Sequence, residues 1–203
     1  MEKRIQQKNE VIGVNLLIEN ALRFSHTLLI NTISPGDIVV DATVGNGDDT
    51  VLLAKLVGPY GKVYGFDVQE QAIRQTKEKL LYTSLLPQVE LYHQGHETVE
   101  DVLNVDTPLA GAVFNLGYLP KSDKSIITKS HTTLKAISTL LPMLRKGALL
   151  IVVVYYGHEG GSEEKEAVLN FASHLSQKEY TVLKYGFVNQ QNQPPFLLAI
   201  EKR

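Results

Sequence analysis

The chain has 203 residues, 43% hydrophobic and 21% charged, with a formal charge of −2 and no cysteine. That length fits one domain, since domains commonly span about one to two hundred residues, and no stretch approaches the roughly 18 uncharged apolar residues of a membrane span. Without cysteine there is no disulfide framework and no thiolate metal site, and the slight acidity excludes a generally basic surface, so any contact with RNA falls to a local patch.

Residues 1–10 are polar and charged with no apolar signal core, which makes the cytoplasm the expected compartment. Val11, Val14, Leu17, Ile18, Ala21, Leu22 and Leu28 then recur at three- and four-residue steps. This is the spacing of one helical face, and it predicts an opening helix over about 11–33, ended near Ser34-Pro35-Gly36. An exposed face of that helix could serve a homodimer.

Short apolar runs at 38–42, 62–66, 89–92, 110–114 and 148–154 read as strands. Stretches rich in helix formers at 48–56, 70–81, 130–144 and 163–175 separate most of them. Alternation of this kind predicts a parallel sheet, because parallel neighbours need crossover connections and helices supply them. The end differs: 180–188 and 195–201 are strand-like, and the link between them is too short for a helix, so this pair should be antiparallel. The expectation is an α/β, Rossmann-like domain over 1–203, with a seven-stranded, mostly parallel sheet, its last strand antiparallel, and helices on both faces. This is the arrangement of class I methyltransferases.

Asp41-Ala42-Thr43-Val44-Gly45-Asn46-Gly47-Asp48-Asp49-Thr50 lies between the first strand and the next helix. It resembles the first motif of class I methyltransferases. Glycines at Gly45 and Gly47 allow positive φ and a close approach of ligand to backbone. About twenty positions beyond Gly47, Asp67 ends the second strand, where nucleoside-binding α/β folds carry a ribose-binding carboxylate. Dinucleotide dehydrogenases share this pairing. Two details separate the readings: Thr50 replaces the third glycine of the dinucleotide fingerprint, and Asp48 and Asp49 begin the helix where a pyrophosphate would bind backbone N–H groups. Two carboxylates repel a diphosphate but suit a cofactor with a sulfonium and an ammonium. They can also cap the helix and favour its positive end. The expected cofactor is therefore S-adenosylmethionine, held by Asp41, Thr43, Gly45, Asn46, Gly47, Asp48, Thr50, Asp67 and Gln69. Gly95 and His96, after the third strand, are candidates for the adenine contact. The nearby His93 suggests no metal, because no third or fourth ligand accompanies the pair.

Asn115-Leu116-Gly117-Tyr118-Leu119-Pro120 ends the fourth strand. Amine-modifying methyltransferases carry Asn-Pro-Pro-Tyr or a relative there, and the likeness is partial because Leu116 and Gly117 stand for the prolines. In that motif the Asn oxygen accepts from the target amine and the aromatic ring packs on the base, roles that the resemblance passes to Asn115 and Tyr118; Asn115 also borders the cofactor. After the fifth strand comes Tyr155-Tyr156-Gly157-His158-Glu159-Gly160-Gly161. His158 is a candidate base, because histidine is the side-chain type that ordinarily exchanges protons near neutral pH. Tyr156 is a candidate substrate contact, and Tyr155 reads more as core. His26 reads as a helix-surface residue outside the catalytic set.

These motifs occur together with Asn192-Gln193-Pro194-Pro195-Phe196. The combination resembles, over nearly the whole chain, a family first described as rRNA methylases and associated with tRNA 5-aminomethyl-2-thiouridine methyltransferases of Gram-positive bacteria. The resemblance implies methylation of the aminomethyl nitrogen at the wobble uridine, with the tRNA anticodon loop as partner. Lys121, Lys124 and Lys129 follow Tyr118 closely enough to hold anticodon-loop phosphates while Tyr118 or Tyr156 stacks on a splayed base. The alternatives are a methyltransferase of rRNA, of a protein or of a small amine, a nicotinamide-dependent dehydrogenase, and a non-catalytic nucleoside-binding module.

Overall fold

The structure is a computed structural model and describes residues 17–117, 127–158 and 160–203. One sheet of seven strands runs through them in the order β3-β2-β1-β4-β5-β7-β6. The strands are β1 (Ile38–Asp41), β2 (Lys62–Asp67), β3 (Val89–His93), β4 (Leu109–Leu116), β5 (Leu144–Val154), β6 (Tyr180–Tyr185) and β7 (Phe196–Lys202). All neighbours pair in parallel except those of β7, which slots antiparallel between β5 and β6. The expected fold class, with its reversed last strand, is what the chain adopts.

Alternation along the strands divides the core between the two faces. On β5, Leu150, Val152 and Val154 face one way, towards α4 (Val99–Val102), α5 (Ser130–Met143) and α6 (Gly161–Ser173). Ile151 and Val153 face the other, towards α1 (Ala21–Thr32), α2 (Asp48–Val57) and α3 (Glu70–Tyr82). A strand buried on both faces needs a continuous apolar run, which is what 148–154 supplies. Each large side chain so buried contributes about 1.5–3 kcal/mol over its exposed state.

The opening helix is shorter than its periodicity predicts. Its N-cap is Asn20, whose side-chain oxygen accepts from the Arg23 N–H at 2.9 Å, so an efficient cap fixes the start of the helix at Ala21. Leu17 and Ile18 precede it and are exposed, while Val11 and Val14 lie outside the described residues. β6 also stops early, at Tyr185, leaving Val188 fully exposed beyond the sheet. β5 begins four residues before the expected apolar run, at Leu144, and α6 begins at Gly161.

The strand order reverses beside β1: the chain moves outward from β1 to β2 and β3, then returns to place β4 on the other side. Crossovers therefore leave opposite faces at the carboxyl ends of β1 and β4 and open a crevice there, the usual place for a ligand in such a sheet.

Candidate active site

A cleft of about 1110 Å³ occupies this crevice. One part is walled by the loop after β1, with Thr43, Val44, Gly45 and Asn46, and by Asp67, Val68 and Gln69 after β2. Another is walled by Asn115 and Gly117 at the end of β4, Thr128, Lys129, His131 and Thr132 before and within α5, and Tyr155 to His158 after β5.

Gly45 and Gly47 both take positive φ, 51° and 78°. Gly47 is the N-cap of α2 in the left-handed conformation, and a Cβ built on it would overlap the Thr76 side chain. Gly47→Ala should therefore suffer both backbone strain and a clash. It is expected to lower stability by about 1 kcal/mol or more and to weaken cofactor binding, read by thermal denaturation and calorimetry. A variant with wild-type Tm and affinity would show that the turn tolerates a side chain.

Asp67 holds this loop in shape: one carboxylate oxygen accepts from Gly45 N–H at 2.8 Å and the other from Gln69 N–H at 2.9 Å. Each oxygen keeps a second lone pair, and the residue lines the cleft. Asp41 and Thr50 behave differently. Both are fully buried behind the loop, joined by a 2.6 Å bond from the Thr50 hydroxyl to the Asp41 carboxylate, and Asp41 also accepts from Thr43 N–H at 3.2 Å. Burial, reinforced by the charge of neighbouring Asp49, pushes the Asp41 carboxyl up to about 7. Asp41, Thr50 and Gly47 thus shape the loop from behind, whereas Thr43, Gly45, Asn46, Asp48, Asp67, Gln69, Gly95, His96 and Asn115 border the cleft itself.

Neither acid at the start of α2 makes a side-chain cap to its N-terminus. Asp48 is largely exposed and accepts from Lys79 Nζ at 2.8 Å. Asp49 is buried, with two partners the sequence did not link to it: His26 Nε2 at 2.6 Å and the Asn115 side-chain amide, whose nitrogen donates at 2.6 Å. His26 therefore leaves the helix-surface role expected of it. The bond to Asp49, helped by the charges of Asp49, Asp48 and Glu19 and opposed by burial, raises its pKa.

His96 is buried after β3, its ring edge-on to Phe114. Its Nδ1 sits 3.0 Å from the Ala42 carbonyl; a carbonyl only accepts, so Nδ1 carries the proton. Burial lowers the His96 pKa and favours the neutral ring, which leaves Nε2 as an acceptor. This atom is buried without a partner among the described residues, as is Asn115 Oδ1. A buried orphan acceptor is costly unless a ligand donates to it. The His96 atom suits an exocyclic amine such as that of adenine, so the residues present fit S-adenosylmethionine: glycines for close approach, an acceptor for ribose, an acceptor for adenine and carboxylates for positive charge.

At the other wall, the Thr128 hydroxyl accepts from Gly117 N–H at 2.9 Å and donates to Glu164 at 2.5 Å, and Thr133 donates to the same buried acid at 2.7 Å. Glu164 thereby ties the end of β4 to α5 and α6. His158 and Tyr156 border the cleft as expected, and so does Lys129. The two tyrosines exchange the characters expected of them: Tyr155 is 38% exposed, whereas Tyr156 packs against the core, with its ring 5.8 Å from that of Phe196. The pairing of β6 with β7 turns the connection between them so that Gln193 reaches the cleft. His131 and Thr132 on α5 also line it, and only the fold brings these distant positions to the site. Tyr118, Lys121 and Lys124 lie outside the described residues. Among the described residues no group of three or more His, Asp or Glu side chains is placed to hold a metal ion, and no helix is long and apolar enough to cross a membrane.

A doubly wound sheet with a reversed seventh strand, a glycine loop and an acid-rich cleft at the switch point define a class I, S-adenosylmethionine-dependent methyltransferase. The sequence profile of the putative rRNA methylase family matches residues 63–201, and the chain belongs to that family. A profile for the ubiE/COQ5 methyltransferase family also matches, over residues 2–107. A chloroplastic tRNA (mnm(5)s(2)U34)-methyltransferase of Arabidopsis thaliana is 35% identical over 91% of this chain and 70% of its own length. Among solved structures, a putative rRNA-methylase from Clostridium thermocellum is 44% identical, with a TM-score of 0.90 over 93% of this chain and 100% of that one. A putative methyltransferase from Streptococcus mutans, in complex with SAH, is also 44% identical, with a TM-score of 0.85 over 92% and 100%.

Proposed function

We propose that this protein methylates the aminomethyl nitrogen of 5-aminomethyl-2-thiouridine at the tRNA wobble position, giving 5-methylaminomethyl-2-thiouridine. The observation that carries this reading is the Asn115 side-chain oxygen, a buried acceptor without a partner among the described residues, at the wall of the cleft that also holds the cofactor loop. An acceptor there selects a nucleophile that bears N–H. The Arabidopsis relative, a tRNA (mnm(5)s(2)U34)-methyltransferase, supplies the substrate of this reading.

S-adenosylmethionine supplies a methyl carbon activated by an adjacent sulfonium. The protein must bring a neutral nitrogen lone pair into line with that carbon, a task chiefly of positioning. Asn115 accepts from one amine N–H and so directs the lone pair. Asp49, bonded to the far end of the Asn115 amide, adds negative charge to the site as positive charge grows on the nitrogen during N–C bond formation. An alkylamine is largely protonated near neutral pH, so it sheds a proton to solvent or to a base; His158, on the cleft wall, is the candidate base. Tyr156, with Tyr118, Lys121 and Lys124, is assigned to the base and its phosphates. The S-adenosylmethionine set is Thr43, Gly45, Asn46, Asp48, Asp67, Gln69, Gly95 and His96, with Asp41, Gly47 and Thr50 supporting it. The protein acts as one domain in the cytoplasm.

Cells lacking the protein should accumulate tRNA with unmethylated 5-aminomethyl-2-thiouridine, detected by mass analysis of digested nucleosides. Normal levels of the methylated nucleoside in such cells would refute the assignment.

A further inference from the structure

Asn115 presents two nearly isosteric ends, an oxygen that accepts and an NH2 that donates, and only the first can receive an amine N–H. Some feature of the protein must decide which end faces the cleft. Asp49 does so by its chemistry: a carboxylate only accepts, and its Oδ2 lies 2.6 Å from the Asn115 side-chain nitrogen. The amide is turned with its NH2 towards Asp49, and Oδ1 is left on the other side without a protein partner among the described residues. The second carboxylate oxygen of Asp49 is held in turn, 2.6 Å from His26 Nε2, by a residue of α1. Leu22, one turn earlier on the same helix, lines the cleft.

We propose that Asp49 and His26 are positioning residues that fix the orientation of the Asn115 amide, making the enzyme selective for a nucleophile that donates a hydrogen bond. The proposal rests on the reading that Asn115 faces the methylated amine. His26 need not touch the substrate: its N–H holds Asp49 in the rotamer that Asn115 requires. The raised pKa of His26, caused first by its bond to Asp49, agrees with a strong contact. The first helix thereby becomes part of the active site rather than a cover for the sheet.

Two substitutions test this in the full chain. His26→Ala removes the donor, while His26→Gln keeps an amide N–H near the position of Nε2. His26→Ala is expected to lower kcat on tRNA bearing the aminomethyl group about tenfold or more, with KM and S-adenosylmethionine affinity within about twofold, and His26→Gln to regain most of the loss. The side-chain amide resonance of Asn115, followed by 15N NMR without substrate, should shift in His26→Ala and return towards its native position in His26→Gln. Unchanged kcat and an unmoved resonance in His26→Ala would overturn the proposal, and so would a glutamine variant as impaired as the alanine one, since that pattern belongs to ring packing. A wild-type protein inactive on this tRNA would instead defeat the functional reading, and the NMR result would still decide whether His26 orients Asn115.

Discussion

Replacing Asn115 with alanine is expected to lower kcat for methyl transfer on the order of a hundredfold, with S-adenosylmethionine bound within about twofold of wild type. The side chain supplies the acceptor that directs the amine lone pair, and its removal also leaves Asp49 Oδ2 without its donor. The backbone N–H of Asn115 still donates to the Thr43 hydroxyl at 2.7 Å, so the cofactor side of the cleft keeps its shape. Single-turnover kinetics beside calorimetry separate the two effects. A fully active alanine variant would remove Asn115 from the site, and a parallel loss of cofactor affinity would make it a cofactor ligand instead.

Asp67→Ala should weaken S-adenosylmethionine binding about a hundredfold or more, because it removes three interactions at once. Two are visible, the bonds from Gly45 and Gln69 N–H; the third is the acceptor for the ribose hydroxyls. Hydrogen bonds to a charged group contribute about 1.5–3 kcal/mol each, or roughly ten- to a hundredfold in affinity. Asp67→Asn keeps one carbonyl acceptor and should fall between. Unchanged affinity by calorimetry in the alanine variant would reassign the ribose contact.

Much of this was legible in the residues themselves. Short apolar runs with flanking turn residues marked the strands, and the reversed pair at the end followed from a link too short for a helix. The glycine loop and Asp67 could be read because they are close in sequence and each answers a local need. What escaped was set by distance. His26 and Asp49 stand 23 residues apart and Asn115 lies 66 beyond Asp49, so nothing local hinted that they share hydrogen bonds. Asp49 looked like a helix-end charge because the first turn of a helix is where such acids belong; it is buried because α1 packs over it. Gln193 and His131 reach the cleft by strand pairing and crossover geometry, which composition does not reveal. The two tyrosines were exchanged because β5 is buried on both faces, so parity along its apolar run does not tell which residue past Val154 stays covered; Tyr156 joins the cluster of Val152 and Val154, and Tyr155 does not.

Methyl transfer by the purified protein from labelled S-adenosylmethionine, with tRNA that either carries or lacks the 5-aminomethyl group, tests the central claim most directly. Label should enter only the tRNA bearing the amine, at its wobble nucleoside. Label in neither tRNA, or equally in both, would contradict the account.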